Sequence, residues 1–245
     1  MIKLPPNYTF SIEEKTVHHL MLQANSMKRN GLLYGKIGVT IAFFEYGRCR
    51  NNLVYTDYAK ELNNSLPKKI DSNTPLDFAT GLCGFGWGIV YMMQQMFVSS
   101  DVNEICADID QKVMAMDIRR MNDFTLETGL EGFIHYILIR LKNYITVPTF
   151  LHVRPFDDAY LKDVYNKLQS LTEETISISL KQAFISYMDT GLLSYNPNIL
   201  LFASNVELKN EEDILSAKLG LSDGLAGELM KISKTSTNFL KSLFS

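Results

Sequence analysis

Four glycine pairs set at regular intervals constrain this chain more than any other feature: Gly35-Lys36-Ile37-Gly38, Gly81-Leu82-Cys83-Gly84, Gly129-Leu130-Glu131-Gly132 and Gly224-Leu225-Ala226-Gly227. The last three read Gly-Leu-x-Gly, and the first glycines are 46, 48 and 95 residues apart, so the final step is about twice the others. Such a period marks an internal structural repeat, in which each unit buries its apolar face only against its neighbours. The double step implies a decayed copy. Gly191-Leu192-Leu193-Ser194, after the helical stretch Ile176 to Met188, is one candidate for it, although it lies 62 residues after Gly129 and 33 before Gly224.

Between the glycine pairs the periodicity is helical, and all seven prolines fall in the breaks. Ser11-Ile12-Glu13-Glu14 reads as a capping box opening a helix to about Arg29. Asp101 caps a second one, with Ile105, Ile109, Val113 and Met116 on one face, to about Met121. Each of the first three glycine pairs instead leads into a segment poor in charge: Val39 to Tyr46, Phe85 to Val98 and Phe133 to Leu141. Half-polar helices alternating with nearly apolar ones suit two concentric layers, the apolar helices inside. Glycine where an inner helix begins lets the backbone turn tightly and approach its neighbour closely. The expectation is an all-α chain forming an α/α toroid of helix pairs of about 47 residues, open or incomplete because about five pairs are present.

With 46% hydrophobic residues in 245, the chain is long enough for one sizeable core, and a single domain over 1–245 is expected. A net charge of -3, with lysine and arginine scattered, leaves no electrostatic footprint for nucleic acid or an anionic membrane. The opening Met1-Ile2-Lys3-Leu4-Pro5-Pro6 lacks the apolar run of an export signal, and the apolar stretches are too short or too interrupted to span a bilayer. Cys49, Cys83 and Cys106 form neither a disulfide framework nor a metal spacing. These features together predict a cytoplasmic protein.

The glycine pairs, with Gly-Phe-Gly-Trp-Gly at 84–88 and the closing Leu221-Ser222-Asp223-Gly224-Leu225-Ala226-Gly227, resemble the lanthionine synthetase C-like family over nearly the whole chain. The resemblance implies an α/α toroid whose inner helices surround a zinc that activates a cysteine thiol for thioether formation on a precursor peptide. In that family a lone cysteine and a Cys-His pair just before a repeat glycine hold the metal. Here the matching places hold Ala79-Thr80, Thr128 and Ser222-Asp223. No metal and no other cofactor is expected, and Cys83, two residues past its glycine, reads as a small core thiol.

Other residues compete for chemical roles. Glu131 and His135, four apart, share a helix face and offer an acid-base pair or an ordinary hydrogen-bonded one. Asp77 and Asp223 precede signatures and would stand as rim carboxylates of the kind that cleave sugars, or simply as helix caps. Tyr34, Thr80, Trp87 and Tyr91 are candidates to line a pocket, with core burial the ordinary alternative for the aromatics. His18 and His19 read as surface residues, and Met92, Met93 and Met96 as core.

Whether the chain is an enzyme is left open. The leading expectation is a non-zinc accessory or binding protein in the maturation of a ribosomal peptide, with a precursor peptide or partner modification enzyme bound in the central cavity. The alternatives are a sugar-acting enzyme using rim carboxylates, a structural or interaction module that oligomerises through an open toroid edge, and a thioether-forming cyclase with an atypical site.

Overall fold

The computed structural model describes residues 9–66, 73–146, 154–172, 174–203 and 206–243. The Met1 to Pro6 segment, on which the export reading rests, lies outside them, as do Pro67 and Pro148. Among the described residues the chain is all-α without a β-sheet; its one isolated bridge joins Lys218 to Gly224. The helices are α1 Ile12–Gln23, α2 Lys36–Arg50, α3 Leu53–Asn64, α4 Leu82–Gln94, α5 Val102–Met114, α6 Leu130–Thr146, α7 Asp158–Ser170, α8 Ile178–Thr190, α9 Glu211–Ser216 and α10 Leu225–Leu243.

Local chemistry opens the half-polar helices. Ser11 accepts from the Glu14 amide while Glu14 reaches back to the Ser11 amide, and Asp101 accepts from the amides of Asn103 and Glu104. Both helices stop short of the expected ends. Residues Ala24–Ser26 and Ile118–Arg120 tighten into separate 3-10 turns, so α1 ends at Gln23 and α5 at Met114. The half-polar helices bury one stripe, as with Tyr160, Leu161, Val164 and Leu168 of α7, whereas α2 is buried from Lys36 to Gly47 and α4 from Leu82 to Met92.

The glycine loops are built alike. The first amide of each following helix, at Lys36, Leu82, Leu130 and Leu225, donates to the carbonyl seven residues earlier, at Arg29, Pro75, Asp123 and Lys218, in every case at 2.9 Å. A backbone carbonyl thus satisfies a helix-start donor that a side chain usually caps. The loop must cross over the helix start to do this. A Cβ at Gly38, Gly84 or Gly132 would lie 2.2, 1.9 or 2.3 Å from the carbonyl oxygen of Leu32, Phe78 or Leu126. At Gly81 and Gly224 it would meet the carbonyls of Pro75 and Lys218 at 2.2 and 2.1 Å. Close approach, not a special turn, is what demands glycine: Gly35 and Gly81 have extended backbones open to any residue.

The loops are also stitched to one another. Leu221 and Ser222 both donate to the Leu33 carbonyl, at 2.8 and 3.1 Å, and Leu33 and Tyr34 both donate to Ala79, at 3.0 and 3.1 Å. Phe78 and Ala79 then donate to Glu127, each at 3.0 Å. The helices follow the same order, α10 against α2, α2 against α4 and α4 against α6. Within α4, a Cβ on Gly86 would strike the Tyr136 ring of α6 and one on Gly88 would strike Ile37 of α2, so these glycines let both neighbours close in.

Beyond α6 the pattern breaks. Helix α8 packs on α6 and α7, and the 3-10 turn Ile199–Phe202 packs on α10. Gly191 does not open a helix: it ends α8 in the left-handed region (φ 74°), and a Cβ there would have nothing within 4 Å, which corrects its reading as a degenerate signature. Met96 also departs from expectation. It takes a left-handed conformation where the chain turns after α4, and its side chain is 89% exposed while Met92 is fully buried.

These two kinds of glycine give a direct comparison. Gly84→Ala places its methyl inside the Phe78 carbonyl and should cost about 3 kcal/mol or more by the overpacking route. Gly191→Ala meets only left-handed backbone strain, about 1–2 kcal/mol. Urea denaturation of the two variants should rank them in that order.

Candidate functional site

Where the stitched loops end, a cavity of about 390 Å³ lies between α6, the start of α8 and the segment 194–202. Glu131 and His135 project into it from α6, one turn apart, and Ser177, Ser179, Ser194 and Asn196 add polar groups to walls of Leu180, Ala183, Leu201 and Phe202. The expected pair on one helix face is therefore brought to one cavity.

His135 is only 7% exposed, and its Nδ1 stands 2.9 Å from the Tyr195 hydroxyl. That hydroxyl already accepts a hydrogen bond from Trp87 Nε1 at 3.0 Å. Its single proton is then best used on His135 Nδ1, which places the imidazole proton on Nε2. Burial pushes the imidazole down to about 4, so His135 is neutral near pH 7. Burial also raises the half-buried Glu131 carboxyl above its ordinary range, an effect that a backbone hydrogen bond from Ser177 partly offsets. Lys142 Nζ fixes the Tyr195 carbonyl at 2.6 Å.

This segment fills the interior. Phe202 meets the rings of Phe78, Trp87 and His135 at centroid distances of 5.3, 5.2 and 5.0 Å. Between α4 and α6, where the central cavity of a toroid would admit an extended peptide, Tyr195 and Phe202 pack against Trp87 and His135. Trp87 is fully buried and stacked on Tyr91 at 5.3 Å, and both pack in the core and outside the lining of the Glu131–His135 cavity. Tyr91 instead donates to the buried Glu45 at 2.7 Å, which also takes Arg48 and Lys234 and so ties α4, α2 and α10 together.

The remaining candidates separate. Asp77 accepts from the amides of Thr80 and Gly81, at 2.6 and 3.1 Å, and from the Thr80 hydroxyl, so both residues are spent on their own loop. Asp223 pairs with Lys218 at 2.9 Å and lines a different cavity, of about 580 Å³, with Tyr34 and Arg29. Tyr34 donates to Glu127, and burial and that carboxylate raise its phenol to about 12. The three carboxylates do not converge on one pocket.

The zinc that the family resemblance implies does not fit these residues. Thr80 and Thr128 bind Asp77 and Asp123, and Asp223 holds Lys218. Cys83 and Cys106 are fully buried; burial lifts the Cys83 thiol well above its usual range and the Cys106 thiol to about 12. Among the described residues no three His, Cys, Asp or Glu groups gather as a metal site. Comparisons with protein-family models, curated proteins and solved structures return no match to this chain.

Sequence reasoning missed Tyr195. It sits in an aperiodic stretch before Pro197, and its partners are 108 and 60 residues away. Glu45 had a signal, as the one carboxylate within the apolar run Val39 to Tyr46.

Tyr195→Phe leaves the Trp87 donor and the His135 acceptor unpaired and should cost about 1–3 kcal/mol. The folded imidazole binds its proton near pH 4 and the unfolded one near 6.5, so the unfolded state holds more protons between those values. Stability from this group is complete above about 6.5 and is lost as pH falls towards about 4. Glu131 and Asp110, with raised carboxyls, act in the opposite direction. The stability advantage of the wild type over His135→Gln, measured by urea denaturation, should shrink across that window; a constant gap would contradict a buried neutral imidazole.

Proposed function

We propose that the chain is a binding protein built as a helix-pair toroid of the lanthionine synthetase C-like type, taking part without zinc in the maturation of a ribosomal peptide. The repeated glycine loops, alike in the hydrogen bond that caps each helix start and joined in helix order, support the toroid reading. The observation that carries the binding role is the Glu131–His135 cavity. It offers a donor and an acceptor side by side within apolar walls, and Leu201 at its edge is 69% exposed. Polar groups that converge on a concave site with apolar walls can fix and orient a ligand. Because Tyr195 and Phe202 fill the interior, the peptide docks at this rim cavity and does not thread the middle. Acid-base cleavage of sugars is not supported, since Asp77 and Asp223 are engaged elsewhere. No helix among the described residues is long and apolar enough to cross a membrane.

Trp87, the only tryptophan, reports on the cavity through Tyr195 and His135. Titration with a peptide carrying cysteine and dehydroalanine should shift Trp87 fluorescence saturably, and Ala183→Phe, which fills the cavity without adding a second tryptophan, should abolish the shift. The peptide should form its thioether no faster than in buffer. Accelerated ring closure, with stoichiometric zinc in the purified protein, would overturn the non-zinc reading and restore the cyclase.

A further inference from the structure

Three times, a glycine loop gives two adjacent amides to one carbonyl of the next loop: Leu221 and Ser222 to Leu33, Leu33 and Tyr34 to Ala79, Phe78 and Ala79 to Glu127. In the loops before Gly81 and Gly224 the donors lie three and two residues ahead of the glycine. The corresponding residues before Gly129 are Leu126 and Glu127, and their amides have no acceptor among the described residues. Helix α8 follows without a glycine loop to supply one. Its leading residues bond among themselves, Thr175 to the Thr172 carbonyl, and the Leu171 carbonyl is taken by Lys181.

Without a fifth loop, the row ends in a pair of backbone donors left open among the described residues. Leu126 borders the same cavity as His135 and Glu131. His135, more than nine-tenths buried, spends Nδ1 on Tyr195 and keeps an Nε2–H with no described acceptor.

We infer that this cavity is the slot of the missing loop, and that an extended peptide fills it with its own main chain. One peptide carbonyl accepts from Leu126 and Glu127, as the Leu33, Ala79 and Glu127 carbonyls do in the other loops. A second main-chain amide group places its carbonyl on His135 Nε2–H and its N–H on the Glu131 carboxyl. Neutral main chain suits the site better than an anion, which the Glu131 carboxyl would repel. The reading names how a peptide is held and rests on the binding role proposed above. Main-chain recognition of this kind parallels the addition of a strand to an open sheet edge.

The test is an amide-resolved NMR titration of the full chain with N-acetyl-leucine methylamide. Leu126 and Glu127 amide protons should move downfield and saturate together with the His135 ring proton. The amides of Leu33, Tyr34, Phe78, Ala79, Leu221 and Ser222, already bonded, should stay in place. Shifts at His135, Ser177 and Ala183 without Leu126 and Glu127 would overturn the slot while leaving the cavity a binding site. Equal shifts at Leu126 and Glu127 with sodium butyrate would replace the peptide by an anion. No saturable shift anywhere would remove both the slot and the binding role.

Discussion

The structure depends on a backbone-on-backbone crossing that leaves no space for a side chain. At each glycine pair the loop passes over the start of the helix it leads into, and its carbonyls lie where Cβ atoms would stand. That crossing brings the carbonyl seven residues back within 2.9 Å of the first helical amide, in four loops alike. It also presents the two amides that each loop gives to the next. A buried helix start needs its donors satisfied, and here the main chain satisfies them, leaving the side chains free to be apolar.

The proposed binding role follows from where this construction stops. Four loops can make three joints, and the last loop faces α8, which has no glycine pair. The gap is closed in depth by Tyr195 and Phe202, and the space left near the surface is the Glu131–His135 cavity. Its electrostatics come from the same closure: Trp87 donates to Tyr195, Tyr195 donates to His135, and the imidazole stays neutral with its remaining proton towards the cavity. A neutral donor beside a half-buried carboxyl matches an amide group better than it matches a nucleophile's activation, and Cys83 and Cys106 are sealed in the core.

What could be read from the sequence was local. Ser11 and Asp101 cap the helices they precede because their partners lie within three residues. The glycine pairs mark helix starts because only glycine tolerates the crossing loop. The same reasoning misled at Gly191, since glycine also ends helices in the left-handed region and composition does not distinguish the two uses. Glu131 and His135 were legible as a pair through helical spacing. Tyr195 was not, because its contacts to Trp87 and His135 are set by tertiary approach. Trp87 and Tyr91 show the converse: aromatic residues near a cavity in sequence pattern, turned wholly into the core by the stack between them and by hydrogen bonds to Tyr195 and Glu45.

The central claim, that loop carbonyls cap the buried helices and join one glycine loop to the next until the row ends at α6, is tested most directly by amide-resolved hydrogen exchange of the free protein. Slow exchange is expected at Lys36, Leu82, Leu130 and Leu225 and at the stitched pairs from Leu221 to Ala79, with fast exchange at Leu126 and Glu127. Uniformly fast exchange across the glycine loops, or strong protection of Leu126 and Glu127 in the free chain, would contradict it.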